Sequence, residues 1–527
     1  MNTSTNDSGT DTSEPVDNGE GSSGLWRRLW RLHFLAGLII APALIWFAVT
    51  GLVILYTDTV NEATNGHLYN VPSGSTTMNL DDQVSAASEA NPDFSVWSVT
   101  PPRRNNASTI VAMGSPVGTP YNVFVDPFTG EVLGKTRSDK GLVSFANNTH
   151  GSFLPRQFTM PIPSLMGIVG EGPAFRQVEI GEVVVEVIAG WGLVLATSGL
   201  YLWWPRKKSR KRMFVPRIKE GGRPMWRDLH ASSGTVVSLG LVFLVVTGLP
   251  WATFWGGELS TFASRVTPNT ENFWEYSGPP SDAPKVGDLD RFGVKIAWAV
   301  GNESVPTSNE GGHVHSDVGE DEAHSDHDHG SADGELNASP ARRVGWDAVM
   351  RAAHEEGMVP GFTISPPTDS TDEDGTPTFG AFVVTNPWPS SLGEQGALYV
   401  DQFSAKTLGM SDVDTWGGIQ RAAELGVQTH MGTQFGLVNR IFLTLVCVLT
   451  IWSIVTATVM WLRRRRKGTI GVPRRPADES TYRKVGVVAI VLAVIYPLWG
   501  ASAALLLGID RLVRVRRTAA QKISFPS

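Results

Sequence analysis

Five stretches of the chain stay apolar long enough to cross a bilayer, which takes roughly 20 residues of helix. They lie near 32–56, 181–204, 230–254, 437–462 and 485–509. Two long polar segments separate them, 57–180 and 255–436, and two short ones, 205–229 and 463–484, are dense in Arg and Lys. The pattern predicts a membrane protein built on an α-helical transmembrane bundle of four core spans. The fifth run carries Pro497 midway and basic residues at both ends, Arg483 and Lys484 before it and "DRLVRVRR" after it. It reads as a fifth span or a re-entrant hairpin, followed by a C-terminal tail over 510–527. Residues 1–24 are polar and rich in Ser, Thr and Gly, the composition of a disordered tail. They lack the positive start of a signal peptide.

The pattern repeats. His33 is followed by Gly37 and then by "TGL" from Thr50, and His230 by Gly234 and "TGL" from Thr247, at identical offsets. The second and fourth spans both end in Trp and a basic run, "SGLYLWWPRKK" and "TATVMWLRRRR". In the long segments, "YNVFVDPFTGEVLG" (121–134) matches "LYVDQFSAKTLG" (398–409), each a strand, an Asp-started turn and a second strand. Helical patterns precede them, "LDDQVSAASEA" (80–90) and "GWDAVMRAAHEEG" (345–357). The chain is thus two copies of one unit, a span, a small α+β domain and a span, an organisation that builds pseudo-symmetric sites.

Charge sets the expected orientation. Formal net charge is −7, which gives no case for a nucleic-acid partner. Arg27, Arg28, Arg31, "PRKKSRKR" (205–212), Arg223, Arg227 and "RRRRK" (463–467) fall on one side of a four-span bundle. By the positive-inside rule that side is the cytoplasm, with the N-terminus. The chain is therefore expected in the cell membrane, with span 25–56 entered through an interfacial stretch and both α+β domains outside. Many of the 18 tryptophans flank apolar runs, as at a lipid interface. The single cysteine, Cys447, excludes a disulfide within the chain.

The candidate chemistry is histidine. His33 and His230 form an inner pair near the cytoplasmic ends of spans one and three, with Gly37 and Gly234 one turn on as clearance for a flat ligand. His150 ("NNTHGSF") and His430 ("QTHMGTQFG") form an outer pair ahead of spans two and four. About 30 residues separate His150 from its span, including "MPIPSLMG", a segment able to lie along the membrane surface. A lone histidine at an interface is most often a solvated polar residue. Four in two matched pairs point to ligands, and neutral imidazole between apolar helices suits haem iron. No CxxCH motif is present, so the expectation is non-covalent haem b, one or two, held by paired histidines. Seventeen residues of helix cover roughly 25 Å, so a haem near each face would divide an electron's path. His313, His315, His324, His327 and His329 crowd an acidic stretch (313–330), a composition for divalent-metal capture. The competing reading there is a solvated acidic loop. His67 and His354 read as surface residues, and the "TGL" threonines as bonded to their own helices.

Together "LWRLHFLAGL…TGL", "WRDLHASSGTV…TGL", "SGLYLWWPR" and "YNVFVDPFTGEVLG" resemble the PepSY-associated transmembrane proteins over nearly the whole chain after about residue 25. That family includes iron-regulated membrane proteins and siderophore reductases. The resemblance implies PepSY-like outer domains, with His33 and His230 at the inner haem positions and His150 and His430 at the outer ones. It implies a reductase that passes electrons to an outer ferric siderophore or other metal. No GxGxxG fingerprint stands in a strand–turn–helix context, so a separate donor is expected, a quinol or a cytoplasmic reductase. The alternatives are a membrane-anchored PepSY sensor or peptidase regulator without redox activity, and a component of metal or haem uptake.

Overall fold

The computed structural model describes residues 20–153, 158–170, 173–204, 216–267, 286–287, 289, 295–301, 303–308, 343–371, 377–387, 389–465, 468–469, 471 and 482–524. Four helices among them are long and apolar enough to cross a membrane: Gly24–Leu55, Ile180–Trp203, Gly222–Trp251 and Gly436–Arg464. They keep some apolar side chains buried, such as Ile40, Leu44, Val194 and Leu443, and leave others exposed, such as Ile39, Leu239, Leu437 and Val438, as helices with a lipid-facing side require. Pro42 lies inside the first. The His-rich stretch 313–330 lies outside the described residues.

The chain divides into two compact units. The first comprises Met1–Ile45, Glu186–Val242 and Val448–Ser527. Within it Gly37 lies against Leu195, Gly192 against Leu241 and Gly234 against Ser453, so small residues bring the helices together. The fifth apolar run forms two helices, Tyr482–Ile495 and Pro497–Ser524. They fold back on one another at Tyr496, close enough that a Cβ on Gly500 would meet the Ala493 backbone. The bend follows from Pro497, which has no N–H to continue the helix. Its aromatic pair packs on the second long helix: Tyr496 and Trp499 cover Gly190, and Trp191 Nε1 donates to Ser502 Oγ at 3.0 Å.

The second unit comprises Trp46–Val185 and Phe243–Cys447. The two α+β modules expected there share a single antiparallel sheet of eight strands. In chain order these are β1 (Ser95–Thr100), β2 (Thr109–Gly114), β3 (Pro120–Val125), β4 (Val132–Arg137), β5 (Thr363–Ser365), β6 (Phe382–Thr385), β7 (Gly396–Val400) and β8 (Thr407–Asp412). The order across the sheet is β8-β7-β6-β5-β1-β2-β3-β4. The halves meet where Val99 of β1 faces Ile364 of β5.

Each half ends in the predicted hairpin. Asp126 Oδ1 accepts from the backbone of Phe128 and Thr129, and Asp401 Oδ1 from Phe403 and Ser404, the same Asp-initiated turn. The helices Leu80–Glu89 and Trp346–Glu355 cover one face. Leu80, Val84, Val99, Val111, Val349 and Leu398 belong to one core. The helix N-termini cap each other. Asp347 accepts from Leu80 N and Asp81 N at 2.9 and 3.2 Å, and Asp81 from Trp346 N and Asp347 N at 2.7 and 3.2 Å. Burial and the facing Asp347 raise the Asp81 carboxyl above its usual range.

The halves differ on the second face. Val383, Ala397 and Tyr399 alternate with Phe382, Val384, Leu398 and Val400, and the first three join a separate core with Val300 and Trp416. So β6 and β7 are buried on both sides, as their unbroken apolar sequence requires. The "MPIPSLMG" stretch forms one strand of a two-stranded hairpin, Thr159–Pro163 with Phe175–Glu179, and a turn, Leu165–Ile168, capped by Ser164 Oγ.

Candidate functional site

Each of the four singled-out histidines is fixed through the same nitrogen. On the first long helix, His33 Nδ1 lies 3.1 Å from the Leu195 carbonyl and 3.0 Å from Ser198 Oγ. On the third, His230 Nδ1 lies 3.0 Å from the Ser453 carbonyl, with Ser453 Oγ at 3.3 Å and Thr456 Oγ1 at 3.4 Å. A carbonyl i and a hydroxyl at i+3, one helical turn, receive the ring in both repeats: Leu195 with Ser198, Ser453 with Thr456.

His150 ends the helix Leu142–Gly151 and His430 nearly ends Gly418–Met431. Thr50 Oγ1 lies 2.9 Å from His150 Nδ1 and Thr247 Oγ1 3.1 Å from His430 Nδ1. Both threonines are the first residue of the repeated "TGL". Each donates its own hydroxyl proton one turn back, Thr50 to the Trp46 carbonyl and Thr247 to the Phe243 carbonyl, both at 2.8 Å. That leaves the threonine oxygen a lone pair for an imidazole N–H.

The tautomer follows from these partners. Carbonyls only accept, and the two threonine protons are already used, so Nδ1 carries the ring proton in all four histidines. Nε2 is left with its lone pair, and it has no hydrogen-bond partner among the described residues. Metal-binding histidines are held in this way, the second nitrogen fixed so that the first is aimed and basic.

His33 and His230 face each other, with ring centres 6.4 Å apart and planes inclined at 71°. A metal between two imidazoles, at metal–nitrogen distances of about 2 Å, puts the ring centres roughly 6 Å apart. The pair therefore has the separation that a shared metal requires. Outside the long helices, burial pulls the His150 imidazole down to about 4, and the neighbouring His430 pulls the same way. Burial takes His430 down to about 4 as well. Both rings stay neutral, and able to ligate, through the physiological range.

Glycines make room for the rings. A Cβ on Gly199 would lie 3.0 Å from His33 Cε1, one on Gly51 3.3 Å from His150 Cε1, and one on Gly248 3.2 Å from His430 Cε1. Gly37 and Gly234, the expected clearance, instead meet Leu195 and Ser453 of the helices that hold His33 and His230. Phe47 and Trp251 flank the second pair, their ring centres 5.6 Å from His150 and 6.2 Å from His430.

Among the described residues no three His, Cys, Asp or Glu side chains converge on a metal position. Two histidines alone do not complete a protein-only zinc site, which takes three or four side chains. They are enough for an iron whose other ligands come from a porphyrin. The donor set therefore fits haem: His33 and His230, at their 6.4 Å separation, would hold one, and His150 with its neighbour His430 would be the residues to hold a second.

Against known proteins, a family profile described as the PepSY-associated TM region matches residues 30–464. The chain belongs to the PepSY-associated transmembrane family. Its multi-pass membrane character accords with the four apolar helices. No curated protein matches the chain. The PepSY-associated match takes in all four histidines and the residues that hold them.

Ser198, Gly199, Ser453, Thr456, Thr50, Gly51, Thr247 and Gly248 escaped sequence reasoning as parts of the site. The repeat of "TGL" at a fixed distance from His33 and His230 was the available signal, and it pointed to these threonines without showing their second role. The self-bonded threonines are real, but they also hold the second histidine pair. His67 and His354 are exposed, and Cys447 is half-buried in the fourth long helix.

Proposed function

We propose that this PepSY-associated protein is a haem-containing transmembrane reductase that delivers electrons to a ferric chelate outside the cell membrane. The observation that carries the reading is the shared geometry of four histidines, every Nδ1 tied down and every Nε2 without a hydrogen-bond partner among the described residues, with His33 and His230 6.4 Å apart. Haem b held by such pairs supplies one-electron redox chemistry.

The chain's own residues do the rest. Ser198, Leu195, Ser453 and Thr456 aim the first pair, and Thr50 and Thr247 the second. Apolar helix faces keep water from the path. An electron passed to an outer Fe(III) chelate, such as a siderophore, makes Fe(II), which hard oxygen donors hold less tightly. A two-electron donor such as a membrane quinol would serve two ferric ions and release two protons. With the N-terminus in the cytoplasm, as the Arg and Lys distribution indicates, the sequence puts His33 and His230 near the cytoplasmic ends of their spans and His150 and His430 in the outer segments.

The test is reduction of a ferric siderophore by the purified, haem-replete protein in liposomes with a quinol donor, followed by capture of Fe(II) with a coloured chelator. Fe(II) should form with the wild type and not with His150→Ala. Haem present but no electron passed to any ferric chelate would favour the non-redox alternatives, a PepSY regulator or a haem-handling component.

A further inference from the structure

Two adjacent arginines at the end of the fourth long helix are divided between the repeats. The Arg464 guanidinium lies 4.7 Å from the Trp30 ring centre and 4.9 Å from that of Phe34. The Arg463 guanidinium lies 5.8 Å from the ring centre of Trp226. Trp30 and Phe34 flank His33, one turn before it and one residue after, and Trp226 stands one turn before His230. Each arginine is thus seated on the aromatic beside one histidine of the facing pair. Trp26 stacks on Trp30, with ring centres 6.2 Å apart and planes within 5°, and steadies that side.

The seating says what the arginines are for. Ring contacts occupy the flat faces of a guanidinium and leave its N–H edges available. Arg464 spends one N–H on the Gly471 carbonyl at 3.0 Å, of the five donors it carries. Among the described residues neither arginine forms an ion pair with Asp or Glu, and the charged group that acts on Arg464 is another cation, Arg223. Helical side chains lean toward their helix N-terminus, here the direction of Ser453 and Thr456, which hold His230. Thr456 and Arg464 are eight residues apart, about 12 Å along the axis. Two cations that meet no carboxylate among the described residues, set to one side of a facing histidine pair, fit a ligand with two carboxylates.

We propose that Arg463 and Arg464 are the carboxylate clamp of the His33–His230 site and bind the two propionate groups of its haem. The proposal rests on the haem reading above and adds to it the residues that fix how the ring is turned. Lipid phosphate is the other anion within reach of a membrane-edge arginine. The seat of Arg464 on both Trp30 and Phe34, beside His33, favours the propionates.

The experiment uses the full chain carrying His430→Ala, so that only the first pair titrates. The protein is produced under haem limitation and placed in phosphatidylcholine nanodiscs. It is titrated with haem and with haem dimethyl ester, whose propionates are capped, and binding is read from the Soret band. With both arginines present, the ester should bind about tenfold or more weakly than haem, the worth of a charge-assisted bidentate contact. With Arg463→Gln and Arg464→Gln added, haem should fall to the level of the ester, and capping should make no further difference. Equal affinity for haem and ester with both arginines intact overturns the proposal, and that comparison needs no variant arginine that could misfold. So does an ester penalty that survives loss of both arginines. If the ester penalty is absent while the arginine substitutions abolish binding of added phosphatidylglycerol, the clamp holds lipid and the proposal fails. No Soret shift with either ligand contradicts the haem reading itself, a signature distinct from equal affinities.

Discussion

His33 and His230 hold their ring centres 6.4 Å apart although 197 positions separate them in the chain. Each belongs to a different repeat and is steadied by the next long helix of its own repeat, through Ser198 or through Ser453 and Thr456. A ligand shared across the repeat boundary makes the two residues interdependent. His33→Ala, His230→Ala and the double variant should each remove the same single absorbance component, the double costing no more than either single. Visible spectra of the three purified variants check this. Two separable half-losses would show that the histidines act apart.

Thr50 and Thr247 should act only on the second pair. Thr50→Val keeps the side chain's shape but removes the oxygen that receives His150 Nδ1. Loss of such a supporting hydrogen bond typically weakens metal binding by about 10- to 100-fold. The second component should weaken on that scale in Thr50→Val and in Thr247→Val. Thr50→Ser, which keeps the hydroxyl, should restore it, and the first component should be unmoved in all three. Haem titration of each variant measures both components at once.

Acid should release the second component late. Protons and iron compete for the same Nε2, and burial takes His150 and His430 from the ordinary 6.5 down to about 4. The neutral, ligating form therefore persists as pH falls from 7 to 5, and because bound iron disfavours the proton further, the band should be lost only below about 4. In haem-free protein the same shift leaves the rings' contribution to stability intact above 6.5, declining as pH falls toward 4. A pH titration of the reduced spectrum of His33→Ala, in which the second pair alone absorbs, locates the midpoint. A midpoint near 6.5 would mean the rings are solvated.

The reciprocal caps of Asp81 and Asp347 join the halves of the sheet. Removing a helix N-terminal cap costs about 1 kcal/mol. Asp81→Ala and Asp347→Ala should each lower stability on that scale, seen as an earlier transition in thermal unfolding. The haem spectra should not change, because neither residue approaches a histidine ligand.

The parts of this protein written locally were legible in its sequence. Long apolar runs, the two Asp-turn hairpins and the helices before them follow from short-range pattern, and matched offsets singled out His33 and His230. What was not legible depends on distant partners. Thr50 meets His150 from 100 positions away, and no spacing rule says which side chain a helix will meet. The joining of β1 to β5 through Val99 and Ile364 is likewise a choice between open strand edges that look alike in sequence. Gly37 and Gly234 carried the right signal, a repeat, and their observed contact is with the neighbouring helix.

The reduced-minus-oxidised visible spectrum of the purified, haem-replete protein tests the central claim most directly. Paired-histidine haem b should give a Soret band and a sharp α band on dithionite reduction. Part of the signal should vanish in His33→Ala and the remainder in His150→Ala. A wild-type protein, folded and haem-supplied, that shows neither band would contradict the account.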